Sequence, residues 1–311
     1  MIIKKMKAPL TQKEIKPFYD IWNRVFGIDE AESASKKLTG YESEYNDMYI
    51  YSCWDGNVLL GTTHITMSKL CPSVCGIGCV CSSEEARGRG IGKIIFSAVL
   101  EDFDSAGGQA AFLATGNPVA ANLYQSFGFQ YLPGTKAMCR FTNTNRVRFE
   151  KEFYEKSELT VLKNSPYLRT LMLPLALTTG TAFSLDSNIQ LFSSKAITQI
   201  YCESLYPKYE KLWEDGGITF SLHNKNGAVC AVASIADYRI DVFYHQDYAE
   251  ESKKLIEACQ VYTQKPYVLI AKNDCDKEKL FTEMGYRPCG EEVVMEFNGY
   301  NVPFARFEKN V

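Results

Sequence analysis

The order of apolar and polar positions divides the chain into short segments of two periods. Ile2–Lys7 reads as a short strand. Lys13–Phe26 carries apolar residues at Ile15, Phe18, Ile21, Trp22, Val25 and Phe26, the three-and-four spacing of a helix face. Ala31–Leu38 repeats that spacing more weakly. Two extended runs, Met48–Trp54 and Val58–Met67, flank Asp55-Gly56-Asn57, a hairpin signal. A third extended run covers Gly76–Ser82. The pattern then predicts a helix over Gly92–Asp104, a strand over Ala110–Ala114, a helix over Pro118–Phe127, and strands near Phe129–Leu132 and Lys136–Phe141.

Beyond the charged stretch Arg146–Lys156 the same order comes round again. Ile189–Phe192 is strand-like, Ala196–Leu205 and Lys208–Trp213 are helical, and Gly217–His223 is extended. Asn224-Lys225-Asn226-Gly227 turns into Ala228–Ala236, and Ile240–His245 follows as a further extended run. A helix over Tyr248–Tyr262, a strand over Tyr267–Ala271, a helix over Lys277–Met284 and a strand over Glu292–Phe297 complete the series. One element order met twice points to a tandem duplication of an α/β domain. The expected domains are residues 1–145 and 146–311. Leu159–Ser187, with its run Leu171-Met172-Leu173-Pro174-Leu175, fits neither copy and reads as a connector packed on one of them.

Composition adds limits. The chain has 311 residues, 46% hydrophobic and 23% charged, with a formal net charge of −3. Its length suits two domains, each able to bury a core. Mild acidity weighs against a nucleic-acid partner. No apolar run reaches the ~18 residues of a membrane span. The opening MIIKKMKAPLTQKEIKPF has no apolar core of a secretory signal, so a cytoplasmic location is expected. Eleven cysteines do not make a disulfide framework in such a chain. Cys71, Cys75, Cys79 and Cys81 lack the paired, loop-separated spacing of a zinc site. They read as core packing, and no metal is expected.

The segment that carries chemistry is Arg87-Gly88-Arg89-Gly90-Ile91-Gly92-Lys93. It opens an apolar-periodic helix directly after an extended run. Glycines let the backbone turn tightly and approach a ligand, and helix-terminal N–H groups favour an anion. A P-loop is excluded because Lys93 is followed by Ile94, and the glycine spacing is too tight for a dinucleotide fingerprint. Downstream comes Asn117-Pro118-Val119-Ala120-Ala121-Asn122-Leu123-Tyr124-Gln125-Ser126-Phe127-Gly128-Phe129.

Together these two segments resemble the signatures of the GNAT superfamily of N-acetyltransferases. Arg87 through Gly92 is similar to its [Q/R]-x-x-G-x-[G/A] loop. Asn117, Ala120, Leu123, Tyr124, Gly128 and Phe129 are similar to its N-x-x-A-x-x-L-Y-x-x-x-G-F helix. The resemblance covers residues 1–142. It implies an α/β (α+β) fold in which each copy is a central, mostly antiparallel mixed sheet flanked by helices. It also implies a reaction, transfer of acetyl from acetyl-CoA to an amine by direct attack in a ternary complex. The backbone of Arg87, Gly88, Arg89, Gly90, Ile91 and Gly92 is then expected to hold the pyrophosphate. Val80, Cys81 and Ser82 are expected along the pantetheine arm, with one of their amides on the thioester carbonyl. Asn117 is expected to contact the pantetheine or order the neighbouring strand, and Tyr124 to be the general acid for the departing thiolate. A neutral phenol suits that task at pH 7.

No side chain presents itself as a general base. Glu84 and Glu85 read as solvated carboxylates, as do Asp29, Glu30 and Glu32, which lie where an acceptor amine enters related proteins. His64, on an apolar run, reads as structural. In the second half, the place of the glycine loop is taken by Phe243-Tyr244-His245-Gln246-Asp247-Tyr248-Ala249-Glu250-Glu251, and Lys279-Leu280-Phe281 replaces the tyrosine segment. Those carboxylates repel a pyrophosphate, so this copy is expected to be degenerate and not to bind coenzyme A. The resemblance implies a small-molecule or peptide amine as the acceptor. Competing readings are a non-catalytic acyl-CoA sensor and a tandem-GNAT aminoacyl transferase.

Overall fold

The computed structural model describes residues 1–132, 136–177, 186–191, 206–297 and 300–309. The chain divides into two compact units, Met1–Gln130 with Met138–Phe149, and Tyr131–Ala137 with Glu150–Val311. Each is organised around a seven-stranded sheet.

The first unit begins with β1 (Ile2–Lys7), α1 (Gln12–Phe26) and α2 (Ile28–Leu38). Thr11 caps α1 in a reciprocal box: its side chain accepts from the Glu14 amide, and its own amide donates to the Glu14 carboxylate at 2.8 Å. Three antiparallel strands follow, β2 (Asn46–Asp55), β3 (Val58–Ser68) and β4 (Val74–Ser82). After them come α3 (Ile91–Ser105), β5 (Ala110–Ala114), α4 (Pro118–Ser126), β6 (Gln130–Tyr131) and β7 (Ala137–Phe141). The sheet order is β1-β2-β3-β4-β5-β7-β6, with β4 and β5 parallel.

Alternation along β3 distributes the helices over the two faces. Thr62 bonds Trp22 of α1, whereas a Cβ on neighbouring Gly61 would lie 3.1 Å from Ile91 of α3. Thus α1 and α2 cover one face and α3 the other. Ile15, Phe18, Ile21 and Trp22 of α1 pack with Ala31, Ala34 and Leu38 of α2 over Met48, Ile50, Cys79 and Cys81. On the other face Ile91, Ile95, Phe96, Val99, Leu100 and Phe103 are buried. Arg140 of β7 ties the far end of α3 with a two-pronged pair to Asp104, at 2.7 and 2.6 Å.

The second unit contains α5 (Arg146–Phe153), which starts at the end of the first, then β8 (Thr160–Lys163), α6 (Leu168–Leu177), α7 (Tyr206–Glu214), β9 (Ile218–His223), β10 (Val229–Ala236) and β11 (Arg239–Tyr244). It ends with α8 (Ala249–Gln260), β12 (Tyr267–Ala271), α9 (Cys275–Glu283), β13 (Tyr286–Phe297) and β14 (Tyr300–Lys309). Its order is β8-β9-β10-β11-β12-β14-β13, with β11 and β12 parallel. Strand for strand this repeats the first sheet, including the crossed final pair, so both halves are the helix-flanked mixed sheets that the resemblance implies.

Four elements depart from the sequence expectations. Leu159–Ser187 is not a bare connector: it holds β8, the first strand of the second sheet, and α6. Every residue of α6 is buried, Arg169 included. A helix that is apolar all round shows no amphipathic period, which is why it escaped the pattern. Arg146–Lys156 contains α5 rather than only charged linker. Strand β14 is hidden by Pro303, an unusual residue within a sheet; it sits where the ladder to β12 ends, at the Ala271–Phe304 pair. Asp186 and Leu191 form an isolated bridge around a turn, not the strand expected over Ile189–Phe192. The helix expected over Ala196–Leu205 lies outside the described residues. Among the described residues no helix is long and apolar enough to cross a membrane.

Candidate functional site

In the first unit two neighbouring strands part. β4 keeps its partner β3, but its parallel ladder to β5 runs only through Val74–Ala110, Cys75–Ala111 and Gly76–Phe112. Just past this point β4 bulges. Thr62 faces Cys81 and His64 faces Gly78, so Thr63 stands opposite two residues, Cys79 and Val80. Cys79 takes the left-handed conformation, with φ 49°. Val80, Cys81 and Ser82 therefore lie on the stretch of β4 that has lost β5. The Cys79 and Cys81 side chains point into the cluster under α1, as core packing requires. Burial pushes the Cys81 thiol up to about 11.

The chain then makes one short helical turn, Glu84–Ala86, and enters the glycine loop. Gly88 and Gly90 have φ 75° and 73°, which side-chain-bearing residues rarely adopt, and a Cβ on either would meet nothing within 4 Å. These glycines border open space. Gly90 is the N-cap of α3 and supplies no side-chain cap. Ile94 makes the first intrahelical bond, to the Gly90 carbonyl, so the amides of Ile91, Gly92 and Lys93 have no intrahelical acceptor. No acidic residue occupies the first turn. Arg87, Arg89 and Lys93 are exposed around it. The donor set and the charge suit a phosphate group.

Asn117 and Tyr124 lie on the other side of the parted strands. Asn117 caps α4, its Oδ1 accepting from the Val119 amide at 2.9 Å. Tyr124 is buried, its ring 5.0 Å from that of Phe96 on α3 and 6.2 Å from that of Phe129. Leu123, one residue earlier, comes within 3.5 Å of a Cβ placed on Gly92, so α4 and the glycine loop are neighbours.

The remaining sequence candidates are placed as follows. Glu84 and Glu85 are exposed, Glu84 lying 3.6 Å from Arg87; hydrogen bonds from the local backbone and Ser83 hold the Glu85 carboxyl below its usual range. Asp29 and Glu30 are exposed in the first turn of α2, where they offset the helix dipole, and Glu32 is exposed one turn on. His64 is buried against Gly78. Sequence reasoning missed Thr62 and Trp22, described below. Their only trace in the sequence was a threonine amid an apolar strand.

The second unit shows what happens to this arrangement without the motif. β11 pairs with β10 in unbroken register, so the bulge of β4 has no counterpart. β11 meets β12 only at Arg239–Tyr267, as β4 first meets β5 at Val74–Ala110. Counting two residues on from these pairs, Asp241 stands where Gly76 stands. Asp274 caps α9 as Asn117 caps α4, so Lys277 stands where Ala120 stands. The Lys277 ammonium is 2.6 Å from Asp241 Oδ1, and Asp241 Oδ2 accepts from the Ser187 amide and hydroxyl. Nearby Asp186 accepts from Ser234 and Tyr209, and burial with the Asp241 charge raises its pKa. α8 carries Glu250 and Glu251 in its own first turn. Phe281, four residues before the turn glycine Gly285 as Tyr124 is before Gly128, packs on Tyr286 at 5.0 Å. Among the described residues no group of histidine, cysteine or carboxylate side chains is placed to hold a metal.

Residues 15–129 match the acetyltransferase (GNAT) family. Three solved structures are similar to part of the chain. A putative GNAT-family acetyltransferase from Desulfovibrio desulfuricans is 13% identical, over 44% of this chain and 95% of its own, with a TM-score of 0.36. An acyl-CoA N-acyltransferase from Pseudomonas aeruginosa is 22% identical, over 45% of this chain and 99% of its own, at 0.36. An aminoglycoside 6'-N-acetyltransferase complexed with coenzyme A is 11% identical, over 47% of this chain and 99% of its own, at 0.37. No curated protein sequence matches the chain.

Proposed function

We propose, from the match of residues 15–129 to the acetyltransferase (GNAT) family, that the protein moves an acetyl group from acetyl-CoA to an amine by direct attack, using the first unit alone. The observation that carries this reading is the uncapped α3 N-terminus behind Gly88 and Gly90, both at positive φ and both facing open space. Within the Arg87–Gly92 loop the Arg87 and Arg89 amides donate to the Glu84 and Ala86 carbonyls, so the pyrophosphate is met by the amides of Ile91 and Gly92, joined by that of Lys93, while Arg87, Arg89 and Lys93 supply the matching charge. Val80–Ser82, left without β5, offers its free edge to the pantetheine arm. Asn117 orders the start of α4.

In this reading the amine nitrogen bonds to the thioester carbon, the carbon–sulfur bond breaks, the Tyr124 hydroxyl gives its proton to the leaving thiolate, and the proton shed by the attacking nitrogen passes to water, from which the Tyr124 phenolate takes one back. A fixed N–H on the carbonyl oxygen contributes about 3 kcal/mol to such a step. The acceptor is a small-molecule or peptide amine, which must arrive neutral or lose its proton to water. A cytoplasmic site of action fits the eleven cysteines.

The second unit, in the same reading, binds no coenzyme A. It lacks the glycine loop and the β4-type bulge, and an ion pair replaces Gly76 and Ala120.

Calorimetric titration with acetyl-CoA tests the proposal, beside a Gly90→Glu control. One site, lost in the control, supports it, and two sites overturn the assignment of the second unit. Absence of binding overturns the whole reading. Binding without thiol release across a panel of amines points instead to an acyl-CoA sensor.

A further inference from the structure

Resting on the acetyl-CoA reading, the geometry points to Thr62 as the positioning residue that aims the Val80 amide at the thioester carbonyl, through the Cys79 carbonyl it holds. Thr62 lies on β3, fully buried, at the edge of the β4 bulge. Its hydroxyl lies 2.9 Å from Trp22 Nε1, 2.9 Å from the Cys79 carbonyl oxygen and 3.3 Å from Cys81 Sγ. A hydroxyl has one proton to give and two acceptor positions. Its proton goes to the Cys79 carbonyl, the Trp22 N–H takes one acceptor position, and the Cys81 thiol donates to the other. All three places are filled, so the hydroxyl cannot rotate without leaving a buried group unmatched.

The consequence follows from the peptide plane. The Cys79–Val80 bond is trans, since Ala8–Pro9 is the only cis bond among the described residues. In a trans peptide the carbonyl and the next N–H point in opposite directions. Thr62 pulls the Cys79 carbonyl toward β3 and α1. The Val80 N–H is thereby turned away from β3, to the side of β4 that β5 has left beyond Gly76. A turn of this peptide plane changes ψ of Cys79 and φ of Val80 together, so the hold on the Cys79 carbonyl also sets the direction of the Val80 N–H. Trp22 extends the arrangement to α1, whose face is fixed by the core it shares with α2.

The test uses the full chain and acetyl-CoA labelled with carbon-13 at the carbonyl. A hydrogen bond to that oxygen moves the bound carbonyl resonance downfield. In the wild type the resonance of the bound ligand is expected downfield of the free one. In Thr62→Val it returns toward the free position, while coenzyme A, which has no acyl carbonyl, binds as before. Thr62→Ser, which keeps the hydroxyl, restores the downfield shift. Thiol release with an amine that supports turnover falls about 10- to 100-fold in Thr62→Val and recovers in Thr62→Ser. A general loss of packing lowers affinity for both ligands and is not rescued in this way. The same downfield shift in wild type and Thr62→Val overturns the assignment, as does a loss of coenzyme A binding equal to that of acetyl-CoA. If Thr62→Val does not fold, a wild-type resonance at the free position, with acetyl-CoA bound, overturns it on its own. A wild type that binds no acetyl-CoA overturns the cosubstrate reading, and this inference with it.

Discussion

Lys277 and Asp241 form an ion pair at 2.6 Å with 4% and 0% of their side chains exposed, in the positions where the first unit carries Ala120 and Gly76. Two small residues in one copy are matched by two opposite charges in the other. Where the first sheet leaves room beside its parted strands, the second is bridged by its own side chains. Asp186, also fully buried, accepts hydrogen bonds beside the pair.

Removing one member of a buried pair leaves the other charge uncompensated, at a cost of about 3–5 kcal/mol. Lys277→Met is expected to lower the unfolding free energy read from a urea titration by that much. Lys277→Met combined with Asp241→Asn should recover part of the loss, because position 241 then carries no unpaired charge. A single variant as stable as the wild type would show that Asp241 finds compensation elsewhere.

His223 sets an acid limit. It is buried on β9, its Nε2 2.8 Å from Ser221 Oγ, and burial lowers its pKa to about 4. The unfolded chain takes up this proton below about pH 6.5, whereas the folded chain resists until about 4. Stability from this residue is complete above pH 6.5 and declines as the pH falls toward 4, by about 3 kcal/mol in all. Denaturant titrations at pH 7 and pH 4.5 should show a smaller difference in His223→Gln than in the wild type. Equal differences would mean that His223 is protonated as easily folded as unfolded.

Tyr124→Phe recreates in the first unit what Phe281 already is in the second. The ring contacts with Phe96 and Phe129 survive the change, so acetyl-CoA affinity should hold. Losing a general acid lowers kcat by about 100-fold or more. Thiol release measured against substrate concentration separates the two effects. A rise in KM at constant kcat would assign Tyr124 to binding. In the wild type, kcat/KM should climb with pH as the amine loses its proton; a flat profile from about pH 6 to 9 is incompatible with amine attack as the limiting step.

Gly78 is small because His64 lies across it. A Cβ there would come within 2.7 Å of His64 Cε1 and 2.9 Å of Nε2. Gly78→Ala must push the imidazole or β4 aside, one residue before the bulge, and should destabilise by about 1–3 kcal/mol. Gly78→Ala with His64→Ala should be milder than Gly78→Ala alone. Thermal melts of the wild type and the two variants settle whether the crowding is with His64 or with the backbone.

Much of this protein is legible along the chain. β1 and β5 end at the residues the apolar pattern marks, α1 and β3 differ by one residue at one terminus and α3 by one residue at each, because half-buried strands and one-sided helices impose periods of two and 3.6 on sequence. The glycine loop was legible for a related reason: positive φ and an open backbone demand a residue type, and that demand shows locally. The doubling of the domain showed as a repeated order of elements. What the sequence did not contain was anything fixed by partners far along the chain. α6 is enclosed on all sides and loses its period, while β14 tolerates Pro303 because its neighbour β12 has already ended there. The bulge of β4 depends on the register with β3, and the hydroxyl of Thr62, 17 residues before the carbonyl it holds and 40 after the indole that holds it, acquires its direction only when three elements meet. Asp241 and Lys277 are ordinary charges in the sequence; packing of β11 against α9 makes them a pair. Local conformational demand is written residue by residue, whereas directionality at a site is a property of contacts and appears only with the tertiary structure.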